Sequence, residues 1–224
     1  MKLKYKLPNV AKLNFKFDID NLKKSLKELE SQFIGVMPAN GQLCSNNHKL
    51  VSNVYDHFDQ INLTTYKNLK ELSLHECESL NLKYSVKDRI RKQEIDPGLV
   101  EDNYNIPTDY YKNSYFFKVI NSFKCEAIRV RLTRLNPGKI LVPHIDYDPS
   151  YAVRIIIPII TNKNCINVFW RKNNRYDHFL EADGSAYFLN TGVRHSVENN
   201  GNEPRIALMF SLKGYSDIEQ LIVE

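Results

Sequence analysis

From residue 126 onward the chain is built of short apolar runs separated by turn residues. Runs rich in Val, Ile, Phe and Thr fall at 126–135, 139–143, 152–160, 165–171, 177–181, 185–190, 194–199 and 204–212. Between them stand Asn136-Pro137-Gly138, Asp148-Pro149, Thr161 to Asn164, Lys172 to Asn174, Asp183-Gly184, Thr191-Gly192 and Asn199 to Asn202. Glycine allows positive φ, proline presets φ, and Asn and Asp bond their own backbone, so each cluster is a turn with a mechanism. Short strands at near-regular spacing predict a sandwich or jelly roll. The fold class is therefore mainly β with flanking helices, its core a sandwich or a jelly roll.

The N-terminal half has a different pattern. Lys12 to Phe17 alternates like a strand. Leu22, Leu26, Leu29 and Phe33 then recur at helical spacing, with Asp18 or Asp20 as cap. That stripe predicts a helix packed against the barrel. Residues 34–50, with Pro38 and Gly41, predict a loop; a short strand and a helix near 64–75 follow. Residues 96–108 predict another loop, and Tyr110 to Phe123 a helix with Tyr111, Tyr115, Phe116 and Val119 on one side. The expected organisation is a mixed extension over residues 1–110 packed on a core of residues 111–224.

Composition narrows the function classes. The chain has 224 residues, 42% hydrophobic and 25% charged, enough apolar material for a core. Its 13 tyrosines and 11 phenylalanines favour strands over a helical bundle. The net charge of +5 is spread along the chain, which gives no support for nucleic-acid binding. Cys44, Cys77, Cys125 and Cys165 form no CxxC pair and fit no zinc module, as expected of reduced thiols in a cytoplasmic protein. MKLKYKLPNVAKLNF lacks the apolar stretch of a secretory signal, and no run reaches the length of a membrane span.

The candidate chemistry starts at Pro143-His144-Ile145-Asp146. Alternate side chains of an extended segment share a face, about 7 Å apart along the chain, so His144 and Asp146 point the same way. His195 opens a later strand and supplies a third ligand. Two histidines and one carboxylate on one face of an octahedral ion leave three positions open, the arrangement of non-haem Fe(II) oxygenases. Arg205, across the turn at 199–202, returns to the barrel, where its planar fork suits a carboxylate.

RVRLTRLNPGKILVPHID, VRIIIPIITN and GSAYFLNTGVRHSVENNGNEPRIAL resemble, in that order, the aspartyl/asparaginyl beta-hydroxylase family. The family includes free-proline hydroxylases and belongs to the 2-oxoglutarate, Fe(II)-dependent oxygenases. The resemblance covers about residues 125–212 and implies a double-stranded β-helix with the metal at one open end. It makes His144 the proximal and His195 the distal iron ligand. Asp146 fills the carboxylate position, where the namesake enzymes have glycine; that difference favours hydroxylation over halogenation. The resemblance gives Arg205 the distal carboxylate of 2-oxoglutarate, with Thr133 beside it. Arg154 falls where an arginine approaches the carboxylate nearer the metal, although Ile156 stands where the family has histidine.

Arg129 and Arg131 share strand parity with Thr133 and are expected to face the barrel. Arg131 is the candidate for a substrate carboxylate, and Tyr147, with Asp148, for the pocket mouth. Trp170 reads as a core or rim aromatic; His48, His57, His75 and His178 read as surface or structural. The expected cofactors are Fe(II), 2-oxoglutarate and O2, with ascorbate as the reductant in vitro. The expected reaction is hydroxylation of an unactivated C–H bond in a small substrate such as a free amino acid. The alternatives are a hydroxylase of a protein or peptide Asp, Asn or Pro side chain, and a non-catalytic jelly-roll binding module.

Overall fold

The structure, a computed structural model, describes residues 2–32, 34–35, 58–65 and 104–222. The N-terminal elements are β1 (Val10–Lys16), α1 (Ile19–Leu29), β2 (Ile34–Gly35), β3 (Phe58–Asn62), β4 (Thr64–Thr65) and β5 (Ile106–Pro107). Two short helices follow, α2 (Asp109–Lys112) and α3 (Tyr115–Ile120). The remaining strands are β6 (Glu126–Leu135), β7 (Ile140–His144), β8 (Val153–Ile160), β9 (Cys165–Arg171), β10 (Asn174–Phe179), β11 (Ser185–Leu189), β12 (Arg194–Asn199) and β13 (Arg205–Lys213).

Among the described residues a seven-stranded sheet runs β1-β11-β8-β13-β6-β3-β2, and a four-stranded sheet runs β10-β9-β12-β7. Their pairings are antiparallel. This is the jelly-roll, double-stranded β-helix arrangement that the family resemblance implies, one of the two that the C-terminal strand pattern allows. No helix among the described residues is long and apolar enough to cross a membrane.

The period of two sorts the large sheet into a helix-covered face and an inner face. On β8, Val153, Ile155, Ile157 and Ile159 join the core that includes Leu22, Leu26 and Leu29 of α1 and Phe116 and Val119 of α3. On β13, Ile206, Leu208, Phe210 and Leu212 do the same. The alternate residues Ile156 and Ala207 turn inward, where they pack with Phe169, Tyr187, Leu189 and Val193. Asp18 caps α1 by accepting hydrogen bonds from the backbone N–H groups of Asp20 and Asn21. Phe33, the last residue of the expected stripe, lies outside the described residues.

Several local expectations differ from the structure. The single helix expected over 110–123 is two helices. The Asn113 N–H bonds back to the Asp109 carbonyl and the Ser114 N–H to the Tyr111 carbonyl, closing α2, and Ser114 is extended at ψ 162° before α3 starts. The strand expected at 177–181 begins earlier, at Asn174, because Asn174 pairs with Arg171 across a two-residue turn. Lys172 takes the positive φ, 49°, of such tight turns. Thr64–Thr65 and Ile106–Pro107 are paired strands within spans expected as helix and loop. The rest of the 34–50, 64–75 and 96–108 expectations lies outside the described residues, apart from β2 at Ile34–Gly35.

The described part of residues 1–110 contributes strands to the large sheet. β1 pairs with β11 at one edge, and β3 pairs with β6 towards the other. The chain ahead of β1 is tied down as well. The Asn190 side chain donates to the Lys4 and Pro8 carbonyls, at 2.9 and 3.1 Å, and Arg171 donates to Leu7 O and Asn9 Oδ1.

Gly184 marks a point where two segments touch. It has φ +84°, and a Cβ there would meet the Phe17 carbonyl oxygen far inside contact distance. The Phe17 N–H also donates to the Gly184 carbonyl at 2.8 Å. Gly184→Ala is therefore expected to cost about 2–4 kcal/mol through strain and overpacking. Urea unfolding checks this, and an unchanged midpoint contradicts it.

Candidate active site

β7 and β12 run side by side in the small sheet, with His144 directly opposite His195. Their ring centroids are 4.2 Å apart. Each ring is fixed by a bond from its own strand: Nδ1 of His144 lies 2.7 Å from the Val142 carbonyl, and Nδ1 of His195 lies 3.0 Å from the Val193 carbonyl. A carbonyl only accepts, so each Nδ1 carries the proton. Each Nε2 is then left with a free lone pair, the tautomer a metal ligand needs.

Both Nε2 atoms point to Asp146. His144 Nε2 is 3.7 Å from Oδ1, and His195 Nε2 is 4.0 Å from Oδ2. The Asp146 backbone is held where it leaves β7, its N–H donating to Thr191 O at 2.9 Å. One potential ligand atom from each of His144, Asp146 and His195 lies within 4.8 Å of the others. The strand spacing thus brings together the three residues named from the sequence, and their donor set fits a divalent iron ion.

The electrostatics agree with ligation. Burial drives the His195 imidazole down, helped by repulsion from His144, to about 4, so it is neutral at physiological pH. Burial alone would raise the Asp146 carboxyl. Attraction to the imidazoles of His144 and His195 and to the guanidinium groups of Arg154 and Arg129 outweighs burial and holds it well below the usual range. Asp146 is therefore an anion in a nest of cationic and dipolar groups.

Arg154 comes from the inner face of β8 and is 4% exposed; its Nη2 is 3.6 Å from Asp146 Oδ2. Arg205 and Thr133 meet on neighbouring strands, where Arg205 Nη1 donates to Thr133 Oγ1 at 3.4 Å. They are 5% and 0% exposed. Arg205 also lies beside Cys165, where it opposes the upward pull of burial on that thiol. Arg205 makes no ion pair among the described residues, and a buried guanidinium without a carboxylate is a place for an anion. The pocket residues therefore fit 2-oxoglutarate as well as iron. Arg131 is buried on the inner face of β6, its Nη1 donating to the Arg129 carbonyl at 3.3 Å. Tyr147 follows the metal motif, its ring 4.7 Å from that of Tyr151.

Other residues have different places. Trp170 lies on the alternate face of β9 from Phe169, its ring under the Arg194 guanidinium. His178 sets its ring edge-on to Phe169, which stacks on His195. His48, His57 and His75 lie outside the described residues. Arg129, given no separate role from the sequence, has φ +49° at a bulge between β6 and β13 and adds its charge at Asp146. Asn167, Asn62 and Ser211 are buried polar residues that sequence reasoning passed over. For Asn167 the available signal was an amide at inward parity in the apolar run CINVFW.

A facial set of two histidines and a carboxylate at the metal end of a double-stranded β-helix, with a buried arginine behind it, defines a 2-oxoglutarate- and Fe(II)-dependent dioxygenase. Residues 98–214 match the family model described as aspartyl/asparaginyl beta-hydroxylase. The chain belongs to that family and is an enzyme of its hydroxylase class. No curated protein matches the chain.

Solved structures similar to it include a prolyl-4-hydroxylase of Pseudomonas putida, at 10% identity over 92% of each chain and a TM-score of 0.46. An oxidoreductase of the 2OG-Fe(II) oxygenase family from Burkholderia pseudomallei is 13% identical over 91% of this chain and 95% of its own, with a TM-score of 0.39. The non-heme alpha-ketoglutarate-dependent epimerase SnoN from nogalamycin biosynthesis is 12% identical over 95% and 81%, with a TM-score of 0.48.

Two outcomes are expected of the metal-free protein and its variants. Asp146→Ala should weaken Mn(II) binding by at least tenfold, measured by titration calorimetry, since even outer-shell changes cost that much. The His195 imidazole is about 4 folded and 6.5 unfolded, so folding favours its neutral form. Stability is then lost as pH falls below about 6.5, by about 2 kcal/mol at pH 5. His195→Gln should remove that part of the loss in melting curves at pH 7.5 and 5. An identical pH dependence in the variant contradicts this.

Proposed function

We propose that the protein hydroxylates an unactivated C–H bond of a small, amino-acid-like substrate. The observation that carries the reading is the three-residue cluster of His144, Asp146 and His195 with the buried guanidinium of Arg205 on the inner wall, which has no ion pair among the described residues. His144 and His195 offer Nε2 atoms to Fe(II), and Asp146 offers a carboxylate. Arg205, with the Thr133 hydroxyl, takes the distal carboxylate of 2-oxoglutarate in bidentate fashion. Arg154 sits against Asp146 and within the region of the carboxylate nearer the metal.

Bound together, Fe(II), 2-oxoglutarate and O2 supply the oxidising chemistry, the products being hydroxylated substrate, succinate and carbon dioxide. The chain's own part is to orient these groups and to keep water out. Ile156, Phe169, Leu189 and Val193 line the interior for that purpose. Arg131 is the candidate partner of the substrate carboxylate, and Tyr147, with Tyr151, walls the mouth. Ascorbate serves as reductant in vitro. A cytoplasmic location is supported by the free thiols of Cys125 and Cys165.

Succinate release by the purified protein with Fe(II), ascorbate and 2-oxoglutarate, screened against free amino acids, is the test. One or more amino acids should stimulate turnover, and His144→Ala should abolish it. Arg205→Gln should raise the KM for 2-oxoglutarate by about tenfold or more. Stimulation by peptides alone would move the substrate to a side chain of a polypeptide. Absence of both iron and 2-oxoglutarate binding would overturn the reading.

A further inference from the structure

Asn167 is a buried amide in an apolar wall. It is 4% exposed, and its Oδ1 has no hydrogen-bond partner among the described residues. Its cross-strand neighbours do not help. On one side it pairs with Val197, which has no polar side-chain atom. On the other it pairs with His178, whose own Nε2 is buried and without a hydrogen-bond partner. A buried amide left in this state keeps an uncompensated desolvation penalty, so a residue kept there for packing alone is a poor choice. A leucine of similar size would serve the wall better.

The position of Asn167 says what its amide N–H can reach. Successive inward residues of β9 are Phe169, Asn167 and Cys165, because alternate residues share a face. Phe169 pairs with His195 and stacks on its ring, so it lies at the level of the metal ligands. Cys165 lies beside the guanidinium of Arg205. Asn167 is therefore halfway between the iron ligands and the arginine for the distal carboxylate, on the wall the cosubstrate must run past. A half-turn about its last side-chain bond aims either the oxygen or the N–H group into the pocket.

We propose that Asn167 is a further cosubstrate-binding residue, donating an amide N–H to a carboxylate oxygen of 2-oxoglutarate. The inference rests on the proposed use of 2-oxoglutarate and adds a contact that the metal triad, Arg205 and Thr133 do not supply. It makes Asn167 a residue that burdens the empty protein and gains its partner on binding.

The test is titration calorimetry of 2-oxoglutarate into the Mn(II)-loaded protein, with melting curves of each variant before and after addition. Asn167→Leu should weaken 2-oxoglutarate binding by about tenfold to a hundredfold, the range for a lost hydrogen bond to a charged group. The same variant should leave Mn(II) affinity unchanged and melt at or above the wild-type temperature without cosubstrate. Asn167→Asp should weaken binding further by like-charge repulsion, and Asn167→Gln should restore part of it.

Wild-type affinity for 2-oxoglutarate in Asn167→Leu would overturn the inference. So would a fall in 2-oxoglutarate affinity matched by equal losses of melting temperature and metal binding, which marks a structural role. Failure of the wild-type protein to bind 2-oxoglutarate at all would instead overturn the function proposed above.

Discussion

A metal site shared between two strands exists only while those strands keep register. His144 ends β7, His195 begins β12, and the two are direct partners. A slip of one residue would turn either imidazole to the other face of the sheet. β12 is held on its far side by β9, where Phe169 pairs with His195 and packs on its ring. Among the described residues β7 has no second partner strand, and its end is fixed by the bond from the Asp146 N–H to the Thr191 carbonyl. The turn that supplies this carbonyl passes close beneath the next loop, since a Cβ on Gly192 would press on Tyr147 O and Pro149. Metal geometry, strand pairing and turn glycine thus form one constraint.

Charge makes the second constraint. The inner wall holds Arg131, Arg154 and Arg205 at 6%, 4% and 5% exposure, and a buried cation is costly unless it meets an anion. Arg154 meets Asp146, which the surrounding positive charge keeps ionised. Arg205 is free to meet a ligand carboxylate. In the proposed function a dianionic cosubstrate completes the protein electrostatically, and an apolar lining around Ile156 and Phe169 would strengthen each such interaction by excluding water.

Much of this was legible in the sequence, for physical reasons. The C-terminal strands show themselves because runs rich in Val, Ile, Phe and Thr stop at clusters of Gly, Pro, Asn or Asp. The spacing of His144 and Asp146 carries over directly, because two residues in an extended segment share a face. Arg205 and Thr133 come together because β13 and β6 pair, with Ala207 opposite Thr133. Less visible were pairings between distant segments, such as β1 with β11 and β3 with β6, which local pattern does not encode. The break at Asn113 and Ser114 was hidden because the apolar stripe runs on across α2 and α3. The positive φ of Arg129 depends on a bulge against β13, and no residue type announces it. Asn167 looks like any polar residue in a strand until its parity and its lack of a partner are known together.

The most direct measurement of the metal and cosubstrate arrangement is a crystal structure of the protein grown without oxygen in Fe(II) and 2-oxoglutarate, with anomalous scattering recorded at the iron edge. The expected map has one anomalous peak between His144 Nε2, Asp146 and His195 Nε2, with 2-oxoglutarate reaching from it to Arg205. An anomalous peak elsewhere, or a cosubstrate whose distal carboxylate avoids Arg205, would contradict the account.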